Sequence, residues 1–329
     1  MTALIDTPLT RHLGIDTPLI CGPMYPCSNP ELVAAVSEAG GIGVVQPVSL
    51  TYVHGHDFRE GLRHIRSLTS RPIGMNALIE SSSRKYRQRM ESWIDIALEE
   101  GVRFFVTSLG NPRWVVERAR EAGGIVYHDV TELRWAEKSL AAGVDGLICV
   151  NNRAGGHAGG RTAGDLFAEL AGLGVPLVCA GGIGTEHDFA DAIRAGYAGV
   201  QMGTRFIVTE ECTAPADYKA AIIAATADDI VLTERLTGVP VSVIRTPHVE
   251  RTGLHAGPVA RRLLRHPRTK HLMRTIYTLR SVWSQKRAAQ GRADSRAYLQ
   301  AGKSAGGVSS ILPAGDIVRR CAAAASSPD

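Results

Sequence analysis

Aromatic residues make up only 5% of this 329-residue chain. Glycine, proline or charge interrupts every apolar run well before the roughly 20 residues that span a bilayer, so no membrane-crossing helix is expected. The six cysteines (Cys21, Cys27, Cys149, Cys179, Cys212, Cys321) include no C-x-x-C pair and no nearby histidine pattern. They read as small buried hydrophobes in a reducing compartment rather than as disulfides or zinc ligands. His54, His56 and His64 lack H-x-x-x-H spacing and a carboxylate partner, so no metal site is expected there. The Gly-Gly-His-Ala-Gly-Gly segment lacks the G-K-[ST] ending of a Walker loop, and no strand-Gly-x-Gly-x-x-Gly-helix unit opens the chain, which disfavours an open dinucleotide-binding sheet. The segment Met1 to Thr10 has Asp6 and no positive cluster before an apolar core, so a secretory signal is not expected and the location is read as cytoplasmic.

What is present fits an ordinary globular chain, with 44% hydrophobic and 21% charged residues. The formal net charge of +5 favours anionic ligands without implying nucleic acid. Basic residues recur from Arg245 to Arg296, notably Arg261, Arg262, Arg265, Arg268, Lys270 and Arg274. Few aromatics are interleaved there, so the stretch reads as a solvated helical face rather than a base-stacking platform.

Eight short segments rich in Val and Ile start near Leu19, Gly41, Pro72, Arg103, Gly124, Gly146, Pro176 and Gly199. Their near-continuous apolar character is that of parallel strands covered by helices. Between them run helical faces such as Leu32, Val33, Val36 and Ala39, and several end at glycine: Gly40, Gly101, Gly123, Gly143 and Gly196. A glycine cap followed at once by a strand is the junction of repeated βα units. Eight units in about 200 residues predict a closed (β/α)8 barrel, a TIM barrel. Residues 1–214 are assigned to it, 215–308 to a smaller, mainly helical second domain with a Pro/Gly-marked connection at Thr237 to Pro247, and 309–329 to a final helix returning to the barrel.

Barrel chemistry gathers at the C-terminal strand ends, where the loops converge. Strand one ends in Gly22-Pro23-Met24, strand three in Gly74-Met75-Asn76, and strand five in His128-Asp129. Strand six runs into Ala154-Gly155-Gly156-His157-Ala158-Gly159-Gly160, strand seven ends in Ala180-Gly181-Gly182, and strand eight in Met202-Gly203-Thr204. Glycines at the last two strand ends allow close backbone approach to a phosphate. His157 sits in a loop that offers few side chains to pack against. Its imidazole suits proton transfer near neutral pH. Asn76 offers an amide donor and acceptor to a heterocycle, and His128 and Asp129 can pair with each other or with a cofactor.

These motifs, with Ala39-Gly40-Gly41-Ile42-Gly43, Thr237-Gly238-Val239-Pro240 and Ala301-Gly302-Lys303-Ser304-Ala305-Gly306, resemble the nitronate monooxygenase family. That family includes FMN-dependent NADH:quinone reductases and enoyl-acyl-carrier-protein reductase II, and the resemblance covers nearly the whole chain. It implies FMN across the barrel mouth, with His157 catalytic and the phosphate on Gly181, Gly182, Gly203 and Thr204. It further implies cofactor contacts from Gly22, Pro23, Met24, Asn76, His128, Ala154, Gly155, Gly156, Ala180 and Met202. Two departures are visible: Gly-Pro-Met where Gly-Gly-Met is usual, and His128-Asp129 where many relatives have a basic residue. The resemblance implies oxidation of alkyl nitronates with O2, or else NADH- or NADPH-dependent reduction of a quinone or enoyl thioester at the same flavin. A flavin-binding protein without turnover is disfavoured by the intact histidine loop. The expected partner is a small-molecule substrate, an anionic nitronate, a quinone or an enoyl thioester, without nucleic acid or membrane, and a homodimer is compatible with the chain.

Overall fold

The computed structural model describes residues 5–80, 84–257 and 298–326. The basic stretch from Arg261 to Arg274 lies outside them. Eight parallel strands close into a barrel in sequence order: β1 (Leu19–Cys21), β2 (Ile42–Val45), β3 (Gly74–Leu78), β4 (Phe104–Ser108), β5 (Ile125–Val130), β6 (Gly146–Val150), β7 (Leu177–Ala180) and β8 (Gly199–Met202), with β8 pairing back onto β1. Around them lie α2 (Pro30–Glu38), α3 (Phe58–Leu68), α4 (Arg84–Glu99), α5 (Arg113–Glu121), α6 (Leu133–Ala141), α7 (Ala163–Leu170) and α8 (Glu186–Arg194). The glycines that end these helices at positions 40, 101, 123, 143 and 196 all have positive φ, the conformation their place in the sequence predicts.

Alternation along the strands divides the core in two. Phe105, Val126, Val130, Cys149, Cys179 and Met202 pack in the layer between barrel and helices. Ile20, Phe104, Val106, Tyr127, Ile148 and Val178 fill the barrel interior. Tyr127 is fully buried there, and a Cβ at Gly146 would stand 2.4 Å from its ring, so only glycine fits beside it. The Tyr127 hydroxyl meets His12 Nδ1 at 3.0 Å. His12 belongs to α1 (Pro8–Leu13), whose Leu9 and Leu13 join the interior cluster.

After β8 come α9 (Thr204–Ile207) and α10 (Ala216–Ala224). Within the segment read as mainly helical, β9 (Ile230–Thr233) and β10 (Val241–Ile244) form an antiparallel ribbon before α11 (Pro247–Thr252). Its β-branched residues find a small core of their own, with Leu236, Val241, Val243 and Val249 buried together. The final helix, Ala314–Ser326, packs against α8 and α2 on the outside of the barrel. Among the described residues no helix is long and apolar enough to cross a membrane.

Candidate active site

β6, β7, β8 and β1 are successive neighbours round the barrel, so the turns after them share one arc of its rim. Gly22 N–H donates to Met202 O at 2.9 Å, joining the first turn to the last strand. Met24 lies over Gly203, its Sδ 3.5 Å from where a Cβ would stand. At Gly181, φ is +116° and a Cβ would stand 2.4 Å from Asn151 Oδ1 and 2.6 Å from Ala154 N, so this glycine lets the loop after β6 lie directly on the turn after β7. Asn151, fully buried, fixes that contact by donating from Nδ2 to Gly181 O at 2.9 Å and accepting from Arg153 N–H at 2.8 Å.

The backbone of these turns bears on the phosphate reading. Among the described residues, the N–H groups of Gly181, Gly182, Gly203 and Thr204 donate to no protein acceptor. Unspent donors this close to a buried core call for an acceptor. The start of α8 is not part of that cradle, because Asp188 Oδ2 already accepts from Gly184 N–H at 3.0 Å and Thr185 N–H at 2.9 Å. These residues fit the phosphate end of a flavin mononucleotide. Ala180 faces the interior below them.

The loop carrying His157 is more firmly held than a run of glycines suggests. Ser242 of β10 donates from its N–H to Gly156 O at 2.8 Å and from its hydroxyl to Ala154 O at 2.9 Å. Gly155 faces Gly302, and a Cβ on Gly302 would stand 2.6 Å from Gly155 N. The glycines therefore have a packing role as well. The imidazole of His157 keeps an exposed edge, yet desolvation by the surrounding protein lowers its pKa and so favours the neutral form. Its Nε2 lies 3.3 Å from Thr237 Oγ1, whose own proton goes to Val239 O at 2.9 Å. Thr237 thus accepts from Nε2–H and leaves Nδ1 with a free lone pair. Thr237 and Ser242 were not among the expected site residues, and only the pairing of β9 with β10 brings them to the loop.

Two expected cofactor contacts face the wrong way. His128 alternates with Tyr127 and Asp129 along β5 and sits in the outer layer with Val126 and Val130, its Nδ1 2.8 Å from Thr107 Oγ1. Burial lowers its pKa to about 4. The Met202 side chain also lies in the outer layer. Their inward neighbours are Asp129 and Gln201, since strand residues alternate sides. Asp129 Oδ1 and Gln201 Oε1 are buried with no hydrogen-bond partner among the described residues, and burial raises the Asp129 pKa to about 7. Asn76 is buried, on β3, and donates from Nδ2 to Val106 O at 3.1 Å, which leaves its oxygen as the available group. A separate cavity of about 360 Å3 lies between α4, α5 and the ends of β3 and β4, lined by Leu78, Tyr86, Met90 and Trp114, and includes none of the glycine turns.

The closed parallel barrel, with its glycine turns gathered on one arc of the rim, places the chain in the (β/α)8 class. The family model described as nitronate monooxygenase matches residues 6–323, and the chain belongs to that family. It is 31% identical over 261 residues, 78% of this chain and 70% of the relative, to a (3aS,4S,5R,7aS)-5-hydroxy-7a-methyl-1-oxo-octahydro-1H-indene-4-carboxyl-CoA dehydrogenase of Mycobacterium tuberculosis. It is 30% identical over 272 residues, 70% of this chain and 77% of the relative, to a nitronate monooxygenase of Pseudomonas aeruginosa. Among solved structures it is similar to FabK of Thermotoga maritima, with a TM-score of 0.79 and 26% identity over 98% of this chain and 96% of that one.

Proposed function

We propose that this oxidoreductase uses FMN and oxidises alkyl nitronates with O2, with His157 as the proton-handling group. The observation that carries the reading is the His157 imidazole, oriented through Nε2 by Thr237, on the same rim as the four unspent N–H groups of Gly181, Gly182, Gly203 and Thr204. Bound FMN would supply electron transfer from substrate to oxygen. The chain's own residues do the rest. The glycine turns would hold the phosphate, Met24 and the Asn76 oxygen would be the groups offered to the ring, and His157 would hold the nitro group or, with a carbon acid as substrate, take its proton at Nδ1. His128 and the Met202 side chain have no part in this. A second reading, oxidation or reduction of a CoA thioester with NADH or NADPH as possible co-substrate, is favoured by the 31% identity to the carboxyl-CoA dehydrogenase. Both would use a histidine beside the flavin, to hold the nitro group or to handle a proton, and so would share one site.

The experiment is direct. The purified protein should be yellow and release FMN on denaturation. Oxygen uptake with an alkyl nitronate supports the first reading, whereas anaerobic bleaching by NADH or NADPH without nitronate turnover supports the second. Colourless protein that takes up no FMN refutes both.

A further inference from the structure

Two cations beside the glycine turns have no partner among the described residues. Arg153 leaves the end of β6 with its stem laid over the Gly182 backbone: Nε lies 2.9 Å, and Cδ 3.1 Å, from the position a Cβ at 182 would take. Gly182 has φ +82°, and its lack of a side chain is what gives the Arg153 stem its place. Among the described residues the Arg153 guanidinium forms no hydrogen bond or ion pair. Lys303 is tied to the same frame, its N–H donating to Arg153 O at 2.9 Å, and its ammonium likewise has no partner among the described residues. Next to it, Gly302 N–H donates to Thr204 Oγ1 at 2.9 Å. One backbone junction therefore fixes Arg153, Lys303 and Thr204 relative to each other.

An unpaired surface cation is ordinarily just solvated. These two differ in what surrounds them. They flank four unspent backbone donors, and the nearby carboxylate of Asp188 is already committed to Gly184, Thr185 and the Thr185 hydroxyl. Neutral N–H groups can orient a phosphate monoester but leave its two negative charges uncompensated. A guanidinium supplies a planar fork for two of its oxygens, and an ammonium a point charge for the third.

We propose that Arg153 and Lys303 are the cationic half of a phosphate-monoester subsite at the ends of β7 and β8, taking the 5′-phosphate of FMN. The inference rests on the FMN reading above and adds to it the two side chains that make the site selective for the phosphorylated flavin.

The test is a fluorescence titration of the full-length protein, freed of flavin by dialysis, with FMN and with riboflavin. Arg153→Gln should lose about 10- to 100-fold in FMN affinity, the effect of one charge-assisted contact, while riboflavin binds as before. Lys303→Gln should lose about tenfold, and Arg153→Lys should recover part of the loss. Both glutamine variants should also bind FMN with a shallower dependence on salt. Unchanged FMN affinity in both variants overturns the assignment. Equal losses for FMN and riboflavin also overturn it, since they mark a displaced loop. If the variants keep FMN but bind CoA no better than dephospho-CoA, where the wild type prefers CoA, the cations serve a substrate phosphate and the assignment to FMN is wrong. Wild-type protein that is folded yet binds neither flavin refutes the FMN reading itself.

Discussion

Replacing Asp129 by asparagine removes an ionisation from a place that disfavours it. Burial raises the carboxyl pKa to about 7 in the folded chain, against about 3.9 when unfolded. Between those values the unfolded chain has released the proton and the folded chain still holds it. Stability therefore falls as pH rises, by about 1.4 kcal/mol per pH unit, and the loss is complete above about pH 7. The gap between the two values sets the cumulative cost at about 4 kcal/mol, an upper value because the residue as a whole keeps some exposure. Asparagine keeps the shape without the proton. The stability of Asp129→Asn minus that of the wild type should thus climb with pH from about 4 to about 7 and then level off. Urea unfolding of the flavin-free protein, followed at half-unit steps across that range, measures the difference directly. A difference that is flat or falls with pH refutes the buried, partnerless carboxyl. His128 provides a control of opposite sign. Its folded pKa of about 4 lies below the ordinary value, so its contribution is fully present above about pH 6.5 and is lost as pH falls toward about 4. The difference for His128→Gln should therefore fall as pH rises through that window.

The rim yields three further outcomes. His157→Ala should leave stability within about 0.5 kcal/mol, since only an exposed 3.3 Å contact to Thr237 is lost, yet slow flavin reduction by substrate on the order of 10²- to 10⁴-fold in stopped flow. An unchanged rate shows that the base lies elsewhere. Because desolvation lowers its pKa, activity that needs neutral His157 should hold down to pH values below about 6.5 and decline only under that; a decline beginning above about pH 7 contradicts the assignment. Gly181→Ala should cost at least about 2 kcal/mol, because its Cβ meets fixed atoms of Asn151 and Ala154, whereas Gly182→Ala meets the movable Arg153 stem and should cost about 1 kcal/mol. Equal losses in thermal unfolding would show that the two turns are not held as described.

The barrel is legible in the sequence because its signals are local. Apolar runs, helical faces and glycine endings each depend on residues close in sequence, and Ile125–Val130 or Gly146–Val150 can be marked from them to within a residue or two. The face of each strand residue is harder, because a shift of one residue reverses it. That is why His128 was expected at the cofactor where Asp129 faces inward, and Met202 where Gln201 does. The ribbon of β9 and β10 is hidden for another reason. Its strands are four residues each and reveal themselves only by pairing with one another, with Gly156 and with Gln300. The motif that begins at Thr237 marks a turn but not its distant partner, and the places of Thr237 and Arg153 beside His157 and Gly182 come from contacts across the fold.

Those distant contacts decide what the histidine loop can do. Glycine at 155, 156, 159 and 160 gives the chain freedom to place His157 anywhere, which by itself is poor preparation for proton transfer. The ribbon removes that freedom by holding Ala154 O and Gly156 O from Ser242, and Thr237 then fixes the ring through Nε2. On the other side, Gly302 and Lys303 hold Arg153 and Thr204 against the glycine turns. The flexible loop supplies close approach, and segments far later in the chain supply rigidity. A change in the ribbon should therefore register in the rate of proton transfer before it registers in barrel stability. Thr237→Val, which keeps the shape but removes the hydroxyl, should lower the flavin-reduction rate on the order of tenfold while leaving the unfolding midpoint in place. A variant with the wild-type rate would show that His157 is oriented by the loop alone.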